Sequence, residues 1–152
     1  WQYDAPLGVW DAVFATLFLV LLVGETVADQ QQWNFHRAKA RAGGELSPGF
    51  VTTGLFRLSR HPNFFFEQSQ WWAFYAMGAT AAVASGLGVW GGAINWTIIG
   101  AVLLTLLFIG STVFTESISS AKYPAYAEYQ RTTSMLVPLP PRRSAQRAQR
   151  PA

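Results

Sequence analysis

The chain has 152 residues, 51% of them hydrophobic, with only 11 Lys or Arg and 8 Asp or Glu, a charged share of 12%. That is half of the roughly 25% usual in soluble domains, which excludes an ordinary soluble globule, because too few polar side chains remain to cover its surface. Seven Trp and an aromatic share of 15% suit a chain that meets membrane interfaces, and zero Cys excludes disulfides, thiolate chemistry and Cys-ligated metal sites.

In chain order, residues 7–28 are apolar apart from Asp11 and Glu25 and read as a first membrane span. A polar, basic loop is expected over 29–63. The 48 uncharged residues between Glu67 and Glu116 hold two more spans, at about 64–84 and 92–115. The Gly-rich run from Ser85 to Gly92 supplies the turn between them. A tail segment over 117–141 is expected to carry a short interfacial helix near Pro124, a Pro-rich strap from Leu136 to Pro141 follows, and 142–152 reads as a disordered basic tail. The fold class is therefore all-α: a polytopic integral membrane protein of about three transmembrane helices plus a short interfacial helix. With its start at Trp1 and three helices too few to wall a ligand, the chain reads as the C-terminal piece of a larger bundle whose N-terminal helices are missing. All 11 basic residues fall in 37–60 and 122–150, so the positive-inside rule expects the loop 29–63 and the C-terminus on the cytoplasmic side.

Charged groups in a span are informative by their depth. Glu25 and Asp29 close the first span, Glu67 opens the second and Glu116 closes the third. Asp11, Glu25, Asp29, Gln32 and His36 share one helix face, expected to point to protein and not to lipid. Pro62 is suited to start a helix on which Asn63, Glu67 and Gln70 stack, with Arg57, Arg60 and His61 just before it. That combination favours a phosphate at the helix entry and hydroxyls or a carboxamide along the face. Glu67, flanked by Phe64-Phe-Phe66 and Trp71-Trp72, needs an internal partner, for which Arg60 or His61 is expected. Lys122, Tyr126 and Tyr129 fall on one side if their stretch is helical, although each Tyr alone also suits an aromatic belt. His36 and His61 are not at ligand spacing on one helix, so no metal site is expected. The basic tail lacks interleaved aromatics, so no nucleic-acid partner is expected.

Three segments together carry a resemblance. They are Glu25-Thr-Val-Ala-Asp29-Gln-Gln31-Gln-Trp-Asn-Phe35, then Gly54-Leu-Phe-Arg-Leu-Ser-Arg-His-Pro-Asn63 with Glu67 and Trp71-Trp72, then Tyr126-Ala-Glu-Tyr-Gln-Arg131 before Val137-Pro138. Over residues 22–141 the chain resembles the C-terminal half of the steroid 5-alpha-reductase-like membrane proteins, within a bacterial branch. The Arg-His-Pro-Asn element is shared with the isoprenylcysteine carboxyl methyltransferases. The resemblance implies a reductase of the bacterial inner membrane that takes NADPH from the cytoplasmic side and reduces an activated carbon–carbon double bond in a small lipophilic, steroid-like substrate. It implies cofactor contacts at Asp29, Arg60, His61, Asn63, Glu67, Tyr126 and Tyr129, to which the placement of charge adds Arg57 and Lys122; arginines are expected on phosphates, and Asn63 and Glu67 on ribose or nicotinamide amide. The catalytic residues are not assigned. In the family, residues that polarise the substrate carbonyl lie in the N-terminal half. Two departures stand out: Phe64 replaces the usual Tyr, and Phe66 replaces a Gly and is expected to close space near the cofactor. The alternative is a methyltransferase using S-adenosylmethionine, with Glu116 standing where that group carries paired glutamates; a non-enzymatic membrane protein is the third reading.

Overall fold

The computed structural model describes residues 7–142, which carry helices and, instead of a sheet, one isolated bridge between Ser59 and Ser134. The α-helices are α1 (Val9–Arg41), α2 (Pro62–Ala82), α3 (Gly88–Ala93), α4 (Ile98–Lys122) and α5 (Tyr126–Thr132). A 3₁₀ turn at Gly54–Arg57 precedes α2, and a π-helical turn at Val83–Leu87 follows it. Three stretches, Val9–Arg41, Pro62–Ala93 and Ile98–Lys122, are long and apolar enough to cross a membrane. In lipid every backbone N–H and C=O must be satisfied internally, and a helix does this within one segment.

The helix ends differ from the apolar boundaries. The stretch 29–63, expected as a loop, remains helical through Arg41. Arg37-Ala-Lys39-Ala-Arg41 is built from strong helix formers, and its cations complement the C-terminal dipole. At 33 residues α1 is about 50 Å long at 1.5 Å per residue, well beyond a hydrocarbon core of about 30 Å. It stops at a glycine pair: the Gly44 N–H donates to the Lys39 carbonyl at 2.9 Å and the Gly43 N–H to that of Ala40 at 3.2 Å, the bonding pattern of a Schellman motif. The turn expected over 85–92 is also displaced. Residues 88–93 are helical, and the chain breaks at 94–97, where Asn95 accepts the Thr97 N–H at 3.0 Å. That local side-chain bond competes with helix, so α4 starts at Ile98. It runs to Lys122, past Glu116, until Pro124 stops it. Pro62 begins α2 and a short helix follows Pro124, as expected. The basic tail beyond Arg142 lies outside the described residues.

Two compact units draw on these helices. The first comprises the chain up to Gly24 together with Phe66–Ile109. Its polar node is Thr105 on α4, whose hydroxyl accepts from Gln68 Nε2 at 2.8 Å and Trp72 Nε1 at 3.1 Å and donates to the Ala101 carbonyl at 2.8 Å. Gln68 and Trp72 are four apart, so both donors leave one face of α2. Gly24 lies against Phe66: a Cβ there would meet the ring at 2.6 Å. Phe66 therefore fills a notch on α1, which corrects the expectation that it narrows a cofactor site. Ala73, Ala79 and Ala101 are buried, the small-residue packing expected of membrane helices, whereas Gly78 opens onto an apolar groove of about 420 Å³ lined by Trp71, Phe74 and Tyr75.

The second unit comprises Glu25–Phe65 and the chain from Gly110. Here Gln31 Oε1 on α1 accepts the Leu55 N–H at 2.8 Å, and Gly54, at φ 61°, leaves no room for a Cβ beside that amide. The 3₁₀ turn is thereby held to α1. Ser59 is fully buried, donates to the Leu136 carbonyl at 2.7 Å and accepts the His61 N–H at 3.1 Å. The Arg60 and His61 N–H groups donate to Ser134 and Met135, and the Leu139 N–H returns to Leu58 at 2.9 Å. The Pro-rich strap is thus bonded to the turn before α2.

Thr105→Val keeps shape and removes both the acceptor and the donor. We expect a loss of about 1–2 kcal/mol, the range of interhelical hydrogen bonds in membranes, measured by unfolding in detergent, with a change in Trp72 emission.

Candidate functional site

Within the second unit the first constraint is a buried ion pair. Arg60 reaches Glu116 on α4 in a two-point contact, Nε to Oε1 at 2.6 Å and Nη2 to Oε2 at 3.0 Å, with the two side chains only 9% and 8% exposed. Its Nη1 donates to the Gln130 carbonyl at 2.9 Å and to that of Thr133. Glu116 also accepts from Gln130 Nε2 at 2.9 Å, and His61 Nε2 lies 3.2 Å from Oε1. A carboxylate only accepts, so this contact places the His61 proton on Nε2. A guanidinium has five N–H donors, and four here are committed to protein. The expectation that Arg60 holds a phosphate is corrected. The partner of Arg60 and His61 is Glu116 on α4, where the sequence reading expected Glu67. An ion so enclosed needs its charge and donors satisfied within the protein.

Above this clamp lies a cleft of about 370 Å³, within the range of small-molecule sites. Gln32, Phe35 and His36 of α1, the loop residues Gly49–Val51, and Thr115, Ser119 and Lys122 of α4 line it, together with Asn63, Phe64 and Tyr123. Phe50 is its aromatic hub, with ring centroids 4.9 Å from Tyr126, 5.3 Å from Tyr129 and 5.7 Å from Tyr123. His61 stacks on Phe64 at 5.5 Å, so this ring forms part of the wall. The Tyr129 hydroxyl donates to the Phe56 carbonyl, and burial first, then the neighbouring Tyr126, pushes this phenol upward. Tyr126 is pushed up to about 12, by burial first and then by the Glu116 charge. Both are neutral wall residues. Tyr123 differs: the Lys39 ammonium donates to its oxygen at 2.7 Å and lowers its titration. The Asn63 amide has no hydrogen-bond partner among the described residues, and the Lys122 ammonium lies 5.4 Å from the Tyr123 ring centroid. Asn63 thus stands on the wall uncommitted to protein, beside the Gln32 and His36 side chains, while the Lys122 ammonium is shared with the Tyr123 phenol.

Of the nine residues expected to contact a cofactor, Arg60, His61, Asn63, Lys122, Tyr126 and Tyr129 line the cleft. Lys122 meets the tyrosines across the break at Tyr123–Ala125, not along one continuous helix. Asp29 and Arg57 are exposed and off the cleft. The α1 stripe expected to face protein does so only in part: Gln32 and His36 reach the cleft and Asp29 does not. Glu67 belongs to the first unit and does not line it. Sequence reasoning missed Phe50 and Lys39. Their one signal was an aromatic residue in a polar loop, which needs a burial partner, opposite a cation eleven residues earlier.

Three helical stretches long and apolar enough to cross a membrane define a helical integral membrane protein, and its second unit carries the aromatic cleft. The chain belongs to the family described as protein of unknown function DUF1295, whose profile matches residues 2–133. It is 38% identical over 148 residues to the uncharacterized protein C594.04c of Schizosaccharomyces pombe, a match covering 89% of this chain and 41% of the yeast protein. The chain thus spans about two-fifths of the length of that curated relative. No solved structure matches.

Two outcomes follow. Glu116→Gln leaves the Arg60 charge buried without its counterion, and we expect a loss of about 3–5 kcal/mol in detergent unfolding. Tyr126 keeps its proton to about 12 when folded, against about 10 when unfolded. The folded state then binds more protons between these values, so stability falls as pH rises through that window. Tyr126→Phe is expected to flatten this decline in unfolding measured from pH 9 to 12.

Proposed function

We propose that the whole protein is a membrane reductase that takes NADPH at the cleft and reduces an activated carbon–carbon double bond in a lipophilic, steroid-like enone. The observation that carries the reading is the unpartnered Asn63 amide and the Lys122 ammonium on the walls of an aromatic cleft. The donor set fits a flat ring bearing a carboxamide and a nearby phosphate: Phe50 and Phe64 offer ring faces, Asn63 both donates and accepts, and Lys122 supplies a cation. Arg60 serves as the clamp that holds this wall. Bound NADPH would supply the hydride. The resemblance to the steroid 5-alpha-reductase-like proteins supports the same reading, as do the basic residues clustered in the same unit, which favour its cytoplasmic placement. Both Glu116 oxygens are held by Arg60, His61 and Gln130, which disfavours a methyltransferase that needs this carboxylate for its cofactor.

The test is thermal unfolding of the whole protein in detergent with NADPH or S-adenosylmethionine. NADPH at 100 times its dissociation constant is expected to add about 2.7 kcal/mol. Lys122→Met is expected to weaken NADPH roughly tenfold to a hundredfold, the loss of one charge-assisted bond. Stabilisation by S-adenosylmethionine alone would overturn the reductase reading.

A further inference from the structure

The cleft holds one phenol set apart from its neighbours. Tyr123 Oη accepts from Lys39 Nζ at 2.7 Å, and Lys39 Nζ is itself anchored to the Gly49 carbonyl at 2.7 Å. The Tyr123 ring lies on the Gly49 backbone, where φ is 93° and any Cβ would meet the ring. The Lys39 ammonium sits 4.8 Å and that of Lys122 5.4 Å from the same ring centroid. A phenol oxygen that accepts from an ammonium directs its own O–H elsewhere, and that proton has no acceptor among the described residues. Tyr129, by contrast, spends its O–H on the Phe56 carbonyl.

We propose that Tyr123 is the proton donor of this cleft and that Lys39 is its positioning residue. The proposal rests on the reductase reading for its chemistry. Saturating a double bond conjugated to a carbonyl requires a hydride at the β-carbon and a proton at the α-carbon. The hydride brings the electron pair of the new β C–H bond, and the π electrons move onto the enolate. The Tyr123 O–H bond then breaks as the α C–H bond forms. The phenolate left behind regains a proton from the Lys39 ammonium, which water refills. One NADPH and one proton are consumed, and NADP⁺ is released.

The electrostatics match. The charged groups at Tyr123 are Lys39 of α1 and Lys122 of α4; His36, Tyr126 and Tyr129 line the same cleft, Arg60 and His61 are tied to Glu116, and no Asp or Glu lines it among the described residues. The ammonium of Lys39 first, then that of Lys122, stabilises the phenolate and lowers the phenol below its ordinary range, the direction that favours proton transfer from it. Tyr126, held near 12, is a far weaker donor.

The experiment is an ultraviolet phenolate titration of the whole protein and of Tyr123→Phe, Lys39→Met and Lys39→Arg, alongside NADPH binding and NADPH-dependent reduction of a steroid 4-en-3-one as probe. The expected result is one early-titrating phenol that disappears in Tyr123→Phe, moves upward in Lys39→Met and is restored in Lys39→Arg. Turnover is expected to fall roughly 10²–10⁴-fold in Tyr123→Phe with NADPH affinity unchanged. An early step that survives in Tyr123→Phe, or one that ignores Lys39→Met, overturns the proposal, and so does full turnover by Tyr123→Phe. If NADPH neither binds nor reduces the probe while the early step follows Tyr123 and Lys39, the reductase reading falls and the acid pair stands.

Discussion

The second unit depends on one ion pair. Arg60 and Glu116 are both nearly enclosed, so neither can be solvated and each requires the other. Coulomb attraction alone does not complete the site, because the guanidinium has further donors to place. Helix α5 ends at Thr132, and the last carbonyls of a helix have no partner of their own. Arg60 Nη1 takes two carbonyls at that end, those of Gln130 and Thr133. One side chain thereby neutralises α4, closes α5 and fixes the turn before α2. Ser59, one residue earlier, adds the strap through Leu136.

This arrangement decides what the cleft can do. With Arg60, His61 and Glu116 committed to one another, the other polar groups on the cleft wall include the Asn63 and Gln32 amides, the His36 imidazole, the Lys122 ammonium and a set of phenols. The phenols are graded by surroundings. Tyr126 and Tyr129 lie buried beside Phe50 and the clamp, and burial keeps them protonated. Tyr123, at the cleft wall and touched by two lysines, is pulled the other way. The same side chain thus serves as wall in two places and as a polarised group in the third.

The first unit follows membrane rules. Its Thr105 node receives two donors from α2 and gives its proton to its own helix, so no hydroxyl valence is left to lipid. Gly24 and Phe66 interlock where a larger residue on α1 would collide. Phe66 is thus accommodated by a glycine on a different helix, 42 residues earlier in sequence.

Local sequence determined the membrane class, the three spans, the helix start at Pro62 and the break at Pro124. Each depends on short-range physics: apolar run length, a missing N–H, a ring that cannot continue a helix. The placement of the few charged and polar residues also drew attention to Arg60, His61, Asn63, Lys122, Tyr126 and Tyr129, which line the cleft. Helix ends were less legible, because the end of an apolar run marks where lipid stops, whereas a helix continues until a glycine pair or a proline ends it, as at Gly43 and Pro124. Partners were decided only by tertiary structure. Nothing in the spacing of Arg60, His61, Glu67 and Glu116 says which carboxylate takes the guanidinium. A partner 56 residues away is chosen by where three helices place their ends. The pairing of Lys39 with Tyr123, 84 residues apart, has the same origin, since a hydrogen bond needs a distance and an angle that no sequence interval encodes.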